Sequence, residues 1–155
     1  MRTIRDWLSE YGESHQNETN KAVHWICVPL IFFSIVGLLY AVKLPFYFYG
    51  GHRLNLAMVV LLLVTLYYLV LSPSLSIGLF LFALACLYAC HLLEVWGLIP
   101  LWATSLIIFA LAWIGQFYGH KIEGKKPSFF KDIQFLMIGP AWLMSFIYQK
   151  IGLKY

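Results

Sequence analysis

Four apolar runs, residues 22–42, 54–71, 75–96 and 101–119, are what most limits this chain. A helix needs about 20 apolar residues to cross a ~30 Å hydrocarbon core, and each run is close to that length. Turn chemistry separates them: Pro45, Gly50 and Gly51 in an aromatic-rich loop over 43–53, then Ser72-Pro73-Ser74, then Gly97 to Pro100. Composition agrees, with 61% hydrophobic and 12% charged residues, where a soluble domain carries about 25% charged. The expectation is one all-α integral membrane domain over residues 1–155.

The ends add two elements. Ile4, Trp7, Leu8 and Tyr11 fall at i, i+3, i+4 and i+7, an apolar stripe on a short helix over residues 2–12. That helix is too short to span and is expected to lie along the headgroups, with Gly12 as its stop. No short apolar core ending in a cleavage site precedes the first run, so that run is expected to act as an uncleaved anchor. A fifth apolar helix, residues 133–149, is interrupted by Gly139-Pro140 and is left open between crossing and lying partly inserted. Pro29 is a candidate kink in the first run.

Charge then orients the chain. Four crossings return residue 120 to the side where residue 20 began. Arg2, Arg5, Lys21, Lys121, Lys125, Lys126 and Lys131 lie on that side, and Lys43 and Arg53 on the other. Lys and Arg accumulate on the cytoplasmic side, so the N-terminus is expected there. The membrane itself, bacterial inner membrane or endoplasmic reticulum, stays open. The net charge of +4 reads as headgroup contact. No basic patch is interleaved with aromatics, so nucleic acid is excluded as a partner. Cys86 and Cys90, four apart inside a run, read as small packing residues.

Sidedness sorts the histidines. His15, His24 and His120 belong to the cytoplasmic face; His52 lies in the outer loop and His91 near the outer end of the third run. His91 is expected to pair with Glu94, and becomes a fourth metal ligand only if its helix is short or tilted. His15 and His24 are nine residues apart. On one continuous helix that is about 900° of turn and ~13 Å of rise, on opposite faces. They share a ligand only if the chain breaks between them. Gly12 can end one helix and Asn17, Thr19 or Asn20 can cap the next. Gln116, His120 and Glu123 follow at i, i+4 and i+7 on one face of the helix leaving the membrane. Two such polar clusters at one face predict a metal held by His15, His24 and His120, with Glu123 as further ligand or as partner to an imidazole. Asn17, Asn20, Lys21, Gln116 and Lys125 are the expected substrate contacts. Nitrogen ligands without thiolate suit non-haem iron(II), with zinc as competitor. A zinc-dependent lipid hydrolase and a non-catalytic protein with a structural metal are the alternatives.

The pattern Tyr11-x3-His15-x-Asn17-x2-Asn20-x3-His24-x4-Pro29, with Trp113-x2-Gln116-Phe117-x-Gly119-His120-x2-Glu123-x3-Pro127, resembles the membrane-embedded iron(II)-dependent 2-hydroxy fatty acid dioxygenases of fatty-acid α-oxidation. The resemblance covers nearly the whole chain. It implies oxidative removal of the carboxyl carbon of a long-chain 2-hydroxy fatty acid, with Fe(II) as cofactor and O2 as co-substrate. It places the family's motif histidines at His15, His24 and His120.

Overall fold

The computed structural model describes residues 3–48, 51–124 and 135–155. Helix α1 (Ile4–Gly12) opens with a capping box, in which the Thr3 hydroxyl accepts from the Asp6 N–H and the Asp6 carboxylate accepts from the Thr3 N–H. Helix α2 (Glu18–Ala41) is capped by Asn17, whose Oδ1 accepts from the N–H groups of Thr19 and Asn20. The break between the two helical segments therefore falls where Gly12 and Asn17 predict it. Strands β1 (Lys43–Tyr47) and β2 (Arg53–Asn55) form an antiparallel ribbon with Lys43 opposite Asn55. Helices α3 (Leu56–Leu71), α4 (Pro73–Trp96), α5 (Leu101–Glu123) and α6 (Ile138–Lys150) follow among the described residues.

Among the described residues three helices, α2, α4 and α5, are long and apolar enough to cross a membrane. Many large apolar side chains on the bundle face outward, among them Leu62, Val70, Leu81, Tyr88, Leu111 and Ile114, as lipid contact requires and water would not tolerate. The remaining run gives a helix, α3, of 16 residues, about 24 Å at 1.5 Å per residue. It is shorter than the run because residues 53–55 form β2 and Asn55 caps the helix by accepting from the Met58 N–H. The loop expected over 43–53 is this ribbon, a small exception to an all-α fold.

The two ends of the chain also differ from expectation. The stripe Ile4, Leu8 and Tyr11 is buried against α6 in a core shared with Trp142 and Leu143, so its apolar face is taken up by protein rather than by headgroups. Helix α6 has 13 residues, most of them buried, and at about 20 Å it is well short of a span. Gly139 and Pro140 lie in its first turn, where a missing N–H costs nothing because first-turn donors have no helical acceptor. Proline thus starts this helix instead of interrupting it. The Tyr148 hydroxyl donates to the Ser74 carbonyl at 2.8 Å, the Ser74 hydroxyl donates to the Lys154 carbonyl, and Tyr68 donates to the Met137 carbonyl. These bonds seat α6 on α3 and α4, at the end of the bundle where α1 also packs. A second apolar core, including Val36, Tyr40, Cys86 and Cys90, fills the opposite end, so both cysteines are the packing residues their spacing predicts.

Candidate metal centre

The α2–α5 seam is closed by small residues. A Cβ added at Gly115 would meet Cys27 Sγ at 2.5 Å, one at Gly119 would strike Asn20 Oδ1, and one at Gly37 would strike Ser105 Oγ. Such contacts let two backbones approach closely. The seam brings His24 of α2 beside His120 of α5, with ring centroids 5.1 Å apart. His15 reaches them from the Glu13–Asn17 connection, its ring 4.2 Å from that of His24 and 5.7 Å from that of His120. All three are buried, at 3%, 1% and 6% exposure. One ligating atom of each lies within 4.8 Å of the others, close to the roughly 4 Å that two nitrogen ligands of one ion can span.

Two of the rings are oriented by backbone carbonyls. His15 Nδ1 lies 2.6 Å from the Tyr11 carbonyl and His24 Nδ1 lies 2.9 Å from the Asn20 carbonyl. A carbonyl only accepts, so each Nδ1 carries the proton and each Nε2 keeps its lone pair for a metal. The Tyr11 carbonyl sits in the last turn of α1, where acceptors lack helical donors; ending the helix at Gly12 is what makes it available. The Tyr11 ring stacks on His15 at 4.3 Å and 11°, and Trp142 packs against the same imidazole at 5.2 Å. Three converging imidazoles, two of them with tautomers set this way, fit a transition metal.

Glu123 takes a different place from the histidines. Its carboxylate accepts from the backbone N–H of Gln16 at 2.9 Å, the backbone N–H of Asn17 at 3.0 Å and the Asn20 amide at 2.9 Å. It ties the end of α5 to the connection that carries His15. Asn20 also donates to the Ser14 carbonyl, so its amide is engaged by the same bracket. Asn17 is occupied as the α2 cap. Lys21 pairs with Glu18 at 2.9 Å on an exposed face. Gln116 is buried and lines a cavity of about 30 Å³ beside His24 and His120. Lys125, the remaining expected substrate contact, lies outside the described residues, as do Lys126, Pro127 and Lys131.

His91 and His52 are far from this site. His91 is 18 residues along α4 from Pro73, about 27 Å of helix, and with His52 it lines a separate cavity of about 570 Å³ beside Lys43 and Arg53. Glu94 pairs with Lys43 at 2.7 Å in place of the expected partnership with His91, because β1 brings Lys43 over the end of α4. Sequence reasoning missed the parts played by Tyr11 and Trp142. Tyr11 precedes His15 by four residues, one helical turn, which was a usable signal; Trp142 had none beyond its place after Gly139-Pro140.

The family model described as 2-hydroxy-palmitic acid dioxygenase Mpo1-like matches residues 1–151. The chain belongs to this Mpo1-like family. A relative from Saccharomyces cerevisiae, named 2-hydroxy-palmitic acid dioxygenase MPO1, is 28% identical over 153 residues, covering 96% of this chain and 82% of its own length. No solved structure matches. Membership in the Mpo1-like family accords with a dioxygenase role on 2-hydroxy fatty acids and hence with use of O2.

Proposed function

We propose that this chain is an iron(II)-dependent dioxygenase that shortens long-chain 2-hydroxy fatty acids by one carbon at the cytoplasmic membrane face. The observation that carries it is the meeting of three buried imidazoles from three separate segments, with ligating atoms within 4.8 Å. Polar groups at membrane depth are costly and are kept for function, and Mpo1-like membership supports the substrate class. In the topology that goes with it, α3 is a fourth crossing, and α5 returns His120 to the side of His15.

The reaction balances without an external reductant. One 2-hydroxy acid and one O2 give one acid shorter by a carbon, one CO2 and one water. The C1–C2 bond breaks, the two carbons together lose four electrons, and O2 gains four. Iron(II), when bound, supplies a Lewis-acidic centre that brings the acid and O2 together. His15 and His24 would hold it through Nε2, with the His120 imidazole as the third ligand. The carbonyls of Tyr11 and Asn20 keep two of those rings turned inward, and Glu123 keeps the His15 connection against α5. Lys21 or Lys125 offers the substrate carboxylate a point charge, and the apolar helices take the acyl tail.

Anaerobically purified protein, given iron(II), O2 and 2-hydroxypalmitate, is expected to yield the acid one carbon shorter. His15→Ala, His24→Ala and His120→Ala should each abolish product and metal retention, while His52→Ala should change neither. Protein that holds zinc without iron and consumes no O2 overturns this reading. One observation favours that rival, a zinc-dependent lipid hydrolase: Glu123 is bound to N–H groups, and the remaining all-histidine donor set is also one that catalytic zinc uses.

A further inference from the structure

The end of the bundle remote from the three histidines holds a cavity of another character. Leu84, Leu87, His91 and Glu94 fall at i, i+3, i+7 and i+10 on one face of α4. Lys43 of β1 pairs with Glu94 at 2.7 Å and so brings the ribbon over the end of that face. With His52 and with Arg53 of β2, these residues line a space of about 570 Å³, within the roughly 300–1,000 Å³ of small-molecule sites.

Charge sets the sign of its occupant. Glu94 is the one carboxylate in the lining, and Lys43 already pairs with it. No carboxylate pairs with Arg53 among the described residues. Its guanidinium lies 5.5 Å from the centre of the Tyr47 ring, which leaves its forked N–H groups for an anion. His52 and His91 are exposed, and an imidazole offers at least one N–H donor. The other half of the cavity is apolar. Leu84 and Tyr88 line it and are exposed on α4, with Leu84 about 10 Å along the helix from His91. Phe46, Tyr47 and Phe48 are exposed next to the cationic rim, and aromatic side chains gather at headgroup depth.

We infer that this cavity binds the phosphodiester headgroup of an anionic phospholipid, with an acyl chain laid along Leu84 and Tyr88. A free phosphate would match the cationic rim and leave the apolar wall unused. A zwitterionic phospholipid would bring its own cation against Arg53. The reacting 2-hydroxy acid belongs at the histidines, at the other end of the bundle. The bound lipid holds the β1–β2 ribbon against α4, a role independent of the metal.

Lipid retention tests it. Full-length protein released from nanodiscs of equal parts phosphatidylglycerol and phosphatidylcholine should keep a single phosphatidylglycerol in native mass spectra, in preference to phosphatidylcholine. Arg53→Gln removes a cation and should weaken retention about fivefold. His91→Phe keeps a ring, removes the N–H donor and should weaken it by a similar factor. Lys150→Gln removes a cation from the exposed end of α6 and should leave retention unchanged. Cobalt(II) binding at the histidines should be unaltered in all three, which reports their fold; if Arg53→Gln disturbs the ribbon, His91→Phe carries the test. Equal retention of the two lipids overturns the assignment, as does unchanged retention in both cavity variants or an equal loss in Lys150→Gln. Inorganic phosphate should not displace the lipid, and displacement would assign the cavity to a free phosphate instead. Displacement by 2-hydroxypalmitate would make it a second place for the acid and overturn the phospholipid reading.

Discussion

Removing the Glu123 carboxylate should weaken metal binding more than it weakens the fold. The carboxylate accepts three hydrogen bonds, two of them from the backbone N–H groups of Gln16 and Asn17 just beyond His15. Those two are solvent-exposed and the Asn20 bond is partly buried. At about 0.5–1 kcal/mol each, the three sum to roughly 2 kcal/mol. In Glu123→Ala the His15 connection is released from α5, and metal binding must bear the cost of re-ordering it. A loss of about 2 kcal/mol is roughly a thirtyfold rise in Kd, within the 10–100-fold typical when a partner of a metal-binding residue is removed. Competition with a chromophoric chelator measures it, using cobalt(II) to record coordination. Glu123→Gln keeps acceptor capacity without charge, so its affinity should fall between wild type and Glu123→Ala with an unaltered cobalt spectrum. Wild-type affinity in Glu123→Ala would refute the reasoning. A cobalt spectrum changed equally by both substitutions would show instead that Glu123 is itself a ligand.

Other expectations follow from the same geometry. Gly119→Ala places a methyl group against Asn20 Oδ1 and should cost about 1–3 kcal/mol, read as a lower Tm in detergent together with weaker metal binding. Gly124→Ala should cost only about 1 kcal/mol, because its φ of +72° disfavours a side chain while nothing lies within 4 Å; its metal affinity should be unchanged. A metal at 100 times its Kd should stabilise the wild type by about 2.7 kcal/mol, and chelation should reverse that shift in Tm. His91→Ala, far along α4, should leave that metal-dependent shift intact.

The histidine grouping was legible because two local facts sufficed: nine residues cannot bring His15 and His24 together on one helix, and Gly12 with Asn17 supplies the break. Counting apolar runs then delivered His120. What escaped the sequence depended on partners distant in the chain. The α1 stripe looks the same whether α6 or lipid covers it. Lys43 and His91 compete for Glu94, and only the β1–β2 ribbon decides between them. Glu123 has suitable helical spacing to join the histidines, yet two backbone N–H groups from a connection about a hundred residues earlier, with the Asn20 amide of α2, claim its oxygens. The ribbon was hidden because aromatic residues beside two glycines suit an interfacial loop as well as strands. Pro140 read as an interruption because the start of α6 could not be located.

The packing of α1 on α6 also has a bearing on the order of assembly. During synthesis His15 and His24 appear early, and His120 follows after α3, α4 and most of α5 have been made. The apolar face of α1 still lacks its cover at that point, because Trp142 and Leu143 come later. Closure of the ligand set therefore waits for nearly the last helix. A chain cut after Gly124 would contain all three histidines and still leave His15 without the docked arm that aims it, so that truncation should fail to retain metal. Such an order would keep a half-made chain from holding a metal before the pocket around it exists.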